Sequence, residues 1–381
     1  MNKNVLIIGA GISGVSIAYN LALKGVKDIH VVDKSHFCAG ATGRCGAGVR
    51  SQWATPLNCL LAKKSIDFFE HAQTILDYHD DIEFKQEGYL ILATTEKEAQ
   101  DFQANVKLQN SMGIPSKYLS IDEALKIVPH LNRDAFVAAT FCGIDGHLNP
   151  FKMTDAYLQA ARRLGVTFSF FEEALDIMVK DHKVVGVKTN KETYETNIVI
   201  NVAGGHSHEI GRLAGIDIPV YSENHQILAT EPIEKMQGPM VMSFTKNIYC
   251  QQVPHGSFIM GRGDSKVPHD HNVDSSWSFL DEMAKTVTHI MPVLGNLRVV
   301  RQWGGSYNMS PDRQPIIGGT DELEGFYMAC GFSGHGFMLA PMTGLLLSEI
   351  ILKQPTTVDT TTLDLRRFRQ QKTIDVEKSV V

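Results

Sequence analysis

Four consecutive apolar residues, Val5-Leu6-Ile7-Ile8, open the hydrophobic pattern of this chain and have the length of a buried strand. The turn Gly9-Ala10-Gly11-Ile12-Ser13-Gly14 follows directly, then a helical stretch, then a second apolar run that ends at Asp33. In such a strand, glycine turn, helix and strand, Gly9 permits the tight turn, Gly11 lets a pyrophosphate approach the backbone, and Gly14 lets the helix pack on the sheet. The helix N-terminus then offers N–H groups and positive dipole to phosphates. Asp33 follows Gly14 by 19 residues, near the roughly 20 at which an acid holds a ribose diol. In this context the motif predicts an adenine dinucleotide site; a turn that merely joins strand to helix is the bland alternative.

Beyond Asp33 the segment 38–48 is dense in glycine, which implies close approach of a ligand to backbone. Periodicity predicts a helix from about Pro56 to Tyr78, a strand over Phe84–Thr94, a polar helix over Glu96–Met112, and a capped helix starting at Ser120 and ending before Pro129. A helix is expected over Asp145–Leu164, followed by strands at Val166–Phe171, Leu175–Lys180 and Val184–Thr189. The apolar strand Ile198–Val202 runs into Ala203-Gly204-Gly205, a second turn suited to a nucleotide edge. Antiparallel patterning covers about 222–263, with strands at His225–Thr230, Ile248–Val253 and Ser257–Gly261, and a helix follows over Ser275–Met291. The terminal block 298–352 holds Gly304-Gly305, Ser310-Pro311-Asp312-Arg313 and a strand, loop and helix around Tyr327–Phe337.

The chain has 381 residues, 43% of them hydrophobic and 20% charged, enough for two domains or one large composite one. A net charge of −6 and an absence of clustered Lys and Arg argue against nucleic acid or an anionic membrane as partner. Six cysteines (Cys38, Cys45, Cys59, Cys142, Cys250, Cys330) include no C-x-x-C pair, so no metal site is expected from them and reduced thiols in the cytoplasm fit best. The apolar tract Gly336–Leu352 is short and holds Pro341, so it reads as a buried helix and not a membrane span. The N-terminal apolar residues are explained by the glycine motif and not by a cleaved leader.

Three stretches carry a likeness to a known family: 41–50 (ATGRCGAGVR), 309–318 (MSPDRQPIIG) and 331–337 (GFSGHGF). Here the chain resembles the flavin-dependent D-amino-acid-oxidase-like superfamily over nearly its whole length, most closely the β subunits of heteromeric sarcosine oxidases and L-proline dehydrogenases. The resemblance implies an α/β FAD-binding domain, Rossmann-like and of the glutathione-reductase type, interleaved with an α+β antiparallel-sheet substrate domain. Residues 1–83, 143–221 and 298–381 would form the first, and 84–142 and 222–297 the second. It also implies oxidation of a secondary amine or imino acid, such as L-proline or sarcosine, by hydride transfer from the carbon beside nitrogen to flavin N5. A D-amino-acid, glycine or opine enzyme on the same fold, and an FAD-binding subunit without activity, are the alternatives.

On this resemblance FAD is held by Gly9, Gly11, Ile12, Ser13, Gly14, Asp33 and Lys34, by Thr42, Gly43, Arg44, Cys45, Gly46 and Gly48, by Ala174, Ala203, Gly204 and Gly205, and by Gly331, Ser333, Gly334, His335, Gly336, Phe337 and Met338. Arg50 matches an arginine that holds the substrate carboxylate; a surface salt bridge is its plain alternative. His335, at the start of the last helix, is either flavin-proximal or a capping histidine. Tyr249 and Gln251 share one face of a strand beside His225, and with Tyr307 and Met338 they complete the candidate substrate site; Arg50, Tyr249 and His335 are the candidate catalytic residues. Monomeric sarcosine oxidases have lysine at the place of Met338 and a flavin-linking cysteine near Ser306-Tyr307-Asn308, so the FAD here is expected to be non-covalent. Glycine oxidase has an arginine at the place of Tyr307, which counts against glycine as substrate. An electron-accepting partner subunit is implied by resemblance alone, and an FMN shared with it is left open.

Overall fold

The computed structural model describes residues 1–263, 268–369 and 376. Strand β1 (Val5–Ile8), helix α1 (Ile12–Leu23) and strand β2 (Ile29–Asp33) form the predicted unit. β1 runs parallel to β2, with Val5 opposite Ile29 and Ile8 opposite Val32, and parallel on its other side to strand Val199–Asn201. Two further strands, Phe326–Cys330 beside Val199–Asn201 and Thr167–Phe170 beside β2, extend the parallel set, and Ile316–Gly319 adds an antiparallel edge, giving six strands. β1 and most of β2 are buried on both faces, as a parallel sheet covered by helices requires.

Close backbone approach holds this unit together. A Cβ on Gly14 would collide with the carbonyl of Gly9, and one on Gly9, whose φ is +120°, would collide with the carbonyl of Val202. On the other side, α1 lies so near helix Gly336–Ile351 that Ser16 Oγ donates to Ala340 O at 2.9 Å. The main apolar cluster fills the space under these helices and helix Pro56–Ile75, with Trp53, Phe69 and Tyr157 among its largest members.

The second sheet has eight strands, in the order Val299–Met309, Tyr221–Thr230, Phe258–Gly263, Ile248–Gln252, Met240–Ser243, Tyr89–Ala93, Ala138–Cys142 and Lys117–Leu119. All neighbours are antiparallel except Met240–Ser243 on Tyr89–Ala93. A three-stranded antiparallel sheet, Thr193–Glu195, Lys183–Thr189 and Ala174–Lys180, and the short pair Gly48–Val49 with Gly146–His147 complete the strands.

Two sequence expectations change. Strand Val299–Met309, on the first-domain side of the boundary at 298, pairs along Tyr221–Thr230 in the second sheet, with Tyr307 opposite Glu223 and Gly305 opposite His225. Its two central glycines and exposed start hide the strand pattern, and only its partner defines it. The helix expected from Asp145 begins at Pro150, because Asn149 Oδ1 accepts from the Phe151 and Lys152 N–H groups (3.1 and 3.2 Å) and proline fits the first helical position. Residues 264–267 and, apart from 376, 370–381 of the expected domains lie outside the described residues. The cap at Ser120 forms as expected: Ser120 Oγ accepts from Glu123 N–H, and Glu123 Oε2 accepts from Ser120 N–H. No helix among the described residues is long and apolar enough to cross a membrane.

The collision at Gly14 gives a direct test. Gly14→Ala should lower the unfolding free energy by about 1–3 kcal/mol, whereas Gly40→Ala, where a Cβ meets nothing within 4 Å, should stay within about 0.5 kcal/mol, both read from urea unfolding.

Candidate active site

The β1–α1 turn, the end of β2 and segment 38–48 meet at the N-terminus of α1. Asp33 is aimed there by two backbone donors, Ala10 N–H to Oδ2 (2.7 Å) and Ser35 N–H to Oδ1 (2.8 Å). Thr42 Oγ1 accepts from Ile12 N–H at 3.1 Å, which ties the turn Ala41–Arg44 to the helix start. Gly11 supplies no capping side chain and the first turn of α1 carries no acid, so its positive end remains directed at an anion. Ala203–Gly205 continues from Val202, whose N–H donates to Ile8 O, and Gly205 O accepts from Ser222 Oγ (3.0 Å). Lys34 Nζ lies 2.9 Å from His206 Nε2, and Ala174 stands two residues beyond Glu172, whose N–H donates to Asp33 O.

Further along, the glycine-rich segment is laced to the second sheet. Arg44 Nη1 donates to Gly304 O (3.0 Å) and Arg44 O accepts from Trp303 Nε1 (2.9 Å), while Gln251 Nε2 donates to Gly46 O (2.7 Å). Gln251 thus holds the loop through its side-chain amide. Ser333 N–H donates to Asn308 O (2.8 Å), which fixes the turn 331–334, and Gly334 lies against the Tyr307 ring so closely that any side chain there would meet it. His225 stacks on Tyr307 at 3.6 Å, and Tyr249 packs over Gly46. His335 precedes helix Gly336–Ile351 without acting as a side-chain cap, and its ring lies 5.0 Å from that of Trp53. Phe337 stacks on Phe69, and both Phe337 and Met338 belong to the main apolar cluster.

Arg50 is buried with its guanidinium 4.0 Å from the Trp53 ring and 5.3 Å from that of Phe244, and Nη1 donates to Gln52 O (3.0 Å). Burial pushes the hydroxyls of Tyr89, Tyr249 and Tyr307 far above their usual range, so all three are neutral hydrogen-bonding groups at neutral pH. Burial likewise pushes the Cys45 thiol up to about 12, which keeps it protonated. The hydrogen bond from His225 holds the Glu223 carboxyl below the usual range, with His269 on its other oxygen side adding to the effect. A buried guanidinium, three neutral phenols and a histidine therefore sit together beside the glycine segment and the turn before the last helix.

The sequence pattern of the family described as FAD dependent oxidoreductase (DAO) matches residues 4–350. The chain belongs to this family. The sarcosine oxidase β subunit of Rhodobacter capsulatus is 26% identical over 98% of this chain and 90% of its own length. The crystal structure of L-proline dehydrogenase from P. horikoshii superposes with a TM-score of 0.93 at 34% identity, covering 98% of this chain and 99% of that one. Glycine oxidase from Geobacillus kaustophilus shares the fold, with a TM-score of 0.88 at 22% identity over 96% of this chain and 99% of that one.

The residues present fit the family cofactor. α1 and helix Gly336–Ile351 both start without a capping side chain or an early acid, and the first is preceded by a turn in which a Cβ on Gly9 would strike the Val202 carbonyl and one on Gly11 would crowd Thr42 Oγ1. Beside Gly205 and Gly331 respectively, Ser306 Oγ and Asn308 Nδ2 are buried with no protein partner, a costly arrangement unless a ligand satisfies them.

Four residues that the sequence did not single out complete the site: Trp53, Tyr89, Phe244 and Asp145. Only Trp53 carried a local signal, being three residues from Arg50; Tyr89 sits in an ordinary apolar strand. Asp145 is wholly buried, and its Oδ1 accepts from both the N–H and the hydroxyl of Ser51, its Oδ2 from Gln52 Nε2 (2.9 Å). Burial pushes its carboxyl up to about 6, opposed by these hydrogen bonds and by Arg50. A folded-state value above the ordinary 3.8 means that this group contributes stability below that pH and loses it as pH rises to about 6. The unfolding free energy of the wild type minus that of Asp145→Asn should therefore fall across this window and stay level above it, measured by urea unfolding at stepped pH. A difference that is constant or rises would show an Asp145 carboxyl that is not raised.

Proposed function

We propose that this protein oxidises a secondary amine or imino acid, of the L-proline or sarcosine class, as the FAD-bearing β-type subunit of a hetero-oligomer. The observation that carries the reading is the buried Arg50 guanidinium between Trp53 and Phe244, next to Tyr89, Tyr307 and the glycine-rich segment. The full-length likenesses to a sarcosine oxidase β subunit and an L-proline dehydrogenase support it. In this reading the six-stranded sheet and its helices hold the cofactor, and the faces of Tyr89, Tyr249, His225 and Tyr307 on the eight-stranded sheet wall the substrate cavity.

When bound, FAD supplies the hydride acceptor. The proposed holders are Gly9 to Gly14 at the pyrophosphate, Asp33 at the adenosine ribose, 42–48 along the nucleotide, and 331–336 at the ring. No cysteine stands at 306–308, so the attachment is non-covalent. Arg50 offers a planar pair of donors to the substrate carboxylate, and its dry aromatic surroundings strengthen that pairing. The same dryness disfavours the ammonium form of the substrate, which leaves a neutral nitrogen without a dedicated base. Tyr249 and Tyr307 act as neutral donors that orient it, and Met338 supports the helix start from the core. Electrons leave to a partner subunit, with an FMN at the shared surface as one form of that acceptor.

Under anaerobic conditions the FAD-loaded protein should lose its visible flavin absorbance with L-proline or sarcosine, and far less readily with glycine or D-alanine. Arg50→Met should keep its FAD and weaken amine binding by about 2–5 kcal/mol, roughly 30-fold or more. A flavin that no amine or imino acid bleaches would overturn the proposal.

A further inference from the structure

His206, Glu209 and His271 bring their ligand atoms within 4.8 Å of one another on the surface beside the 203–205 turn. His206 and Glu209 are three residues apart across the junction of the turn Gly204–His206 and helix Ser207–Leu213, so they share one helix face. His271 comes from the segment that follows strand Phe258–Gly263 in the other sheet. Its ring lies 3.8 Å from that of His206 at a tilt of 30°, and its Nε2 lies 2.9 Å from Glu209 Oε1. The segment is held by both strands of the pair Tyr221–Thr230 and Val299–Met309, since Val273 O accepts from Gly304 N–H and Asp274 O from Asn224 Nδ2. Lys34, exposed and able to swing into solvent, contacts His206 Nε2.

Two imidazoles and one carboxylate are the donor set of a borderline divalent transition metal, with a fourth position open to water. Calcium and magnesium need an oxygen-rich shell that these residues do not provide. We propose that His206, Glu209 and His271 form a binding site for zinc or a similar divalent transition metal, which clips the segment around His271 to the turn at 204–206. To bind, the half-buried His206 and the exposed Glu209 and His271 would turn their ligand atoms toward one point, and Lys34 must release His206 Nε2. The site is independent of the amine chemistry proposed above and uses none of its substrate residues.

Equilibrium dialysis of the FAD-loaded protein against zinc should show one saturable equivalent per chain. His271→Ala and Glu209→Gln should each weaken it by roughly tenfold or more, whereas His255→Ala, another exposed histidine, should bind as the wild type does. Zinc should also slow backbone hydrogen exchange over 268–276 in the wild type and not in His271→Ala. The proposal is overturned if no stoichiometric binding occurs, or if His271→Ala and Glu209→Gln bind zinc as tightly as the wild type.

Discussion

Backbone pressed against backbone at Gly9, Gly14 and Val202 is the constraint on which the molecule depends. With no side chain at Gly14, α1 can start directly on the turn that leaves β1. That places the positive end of the helix at the edge of the parallel sheet and brings Ala10 N–H onto the carboxylate of Asp33. Thr42 then reaches the same helix start, so the course of the glycine-rich segment follows from the position of α1.

From there the segment passes between the sheets and is fastened to the second one by hydrogen bonds from Gln251 and Trp303, with Arg44 donating back to Gly304. Its end carries Arg50 into a dry, aromatic place where charge is expensive. The segment also brings Ser51 and Gln52 onto Asp145, which leaves a buried cation and a buried anion within a few residues of each other. Such an arrangement is costly for folding unless each charge is well hydrogen-bonded. Asp145 meets that condition through three donors, and Arg50 donates to Gln52 O with its guanidinium over the Trp53 ring.

The motif at 310–314 has a structural role of its own. Buried Arg367 pairs both carboxylate oxygens of Asp312 (2.8 and 3.2 Å) and donates to Gln314 O and Leu363 O, so residues 363–368 are anchored to this turn. Ser310 Oγ in turn donates to Gln314 O, and its N–H to Ser333 Oγ, which links the anchor to the turn before the last helix. A stretch that carries family likeness in the sequence is thus a brace for the candidate site.

Local order was legible in the chain because it depends on neighbours a few positions apart. The β1–α1–β2 unit, the capping box at Ser120 and the apolar helix from Gly336 all follow from period and cap chemistry. Residues 299–309 became a strand of the second sheet only through pairing with 221–230, since two glycines and an exposed start erase the alternation that would announce it. Asp145 looked like part of a helix until Asn149 and Pro150 set the true start and released it into the core. The meeting of His206 and Glu209 with His271, and of Arg50 with Tyr89 and Phe244, likewise arose from strand order and register. Those depend on which distant segments share a sheet, and a periodicity of two or 3.6 residues contains no record of that choice.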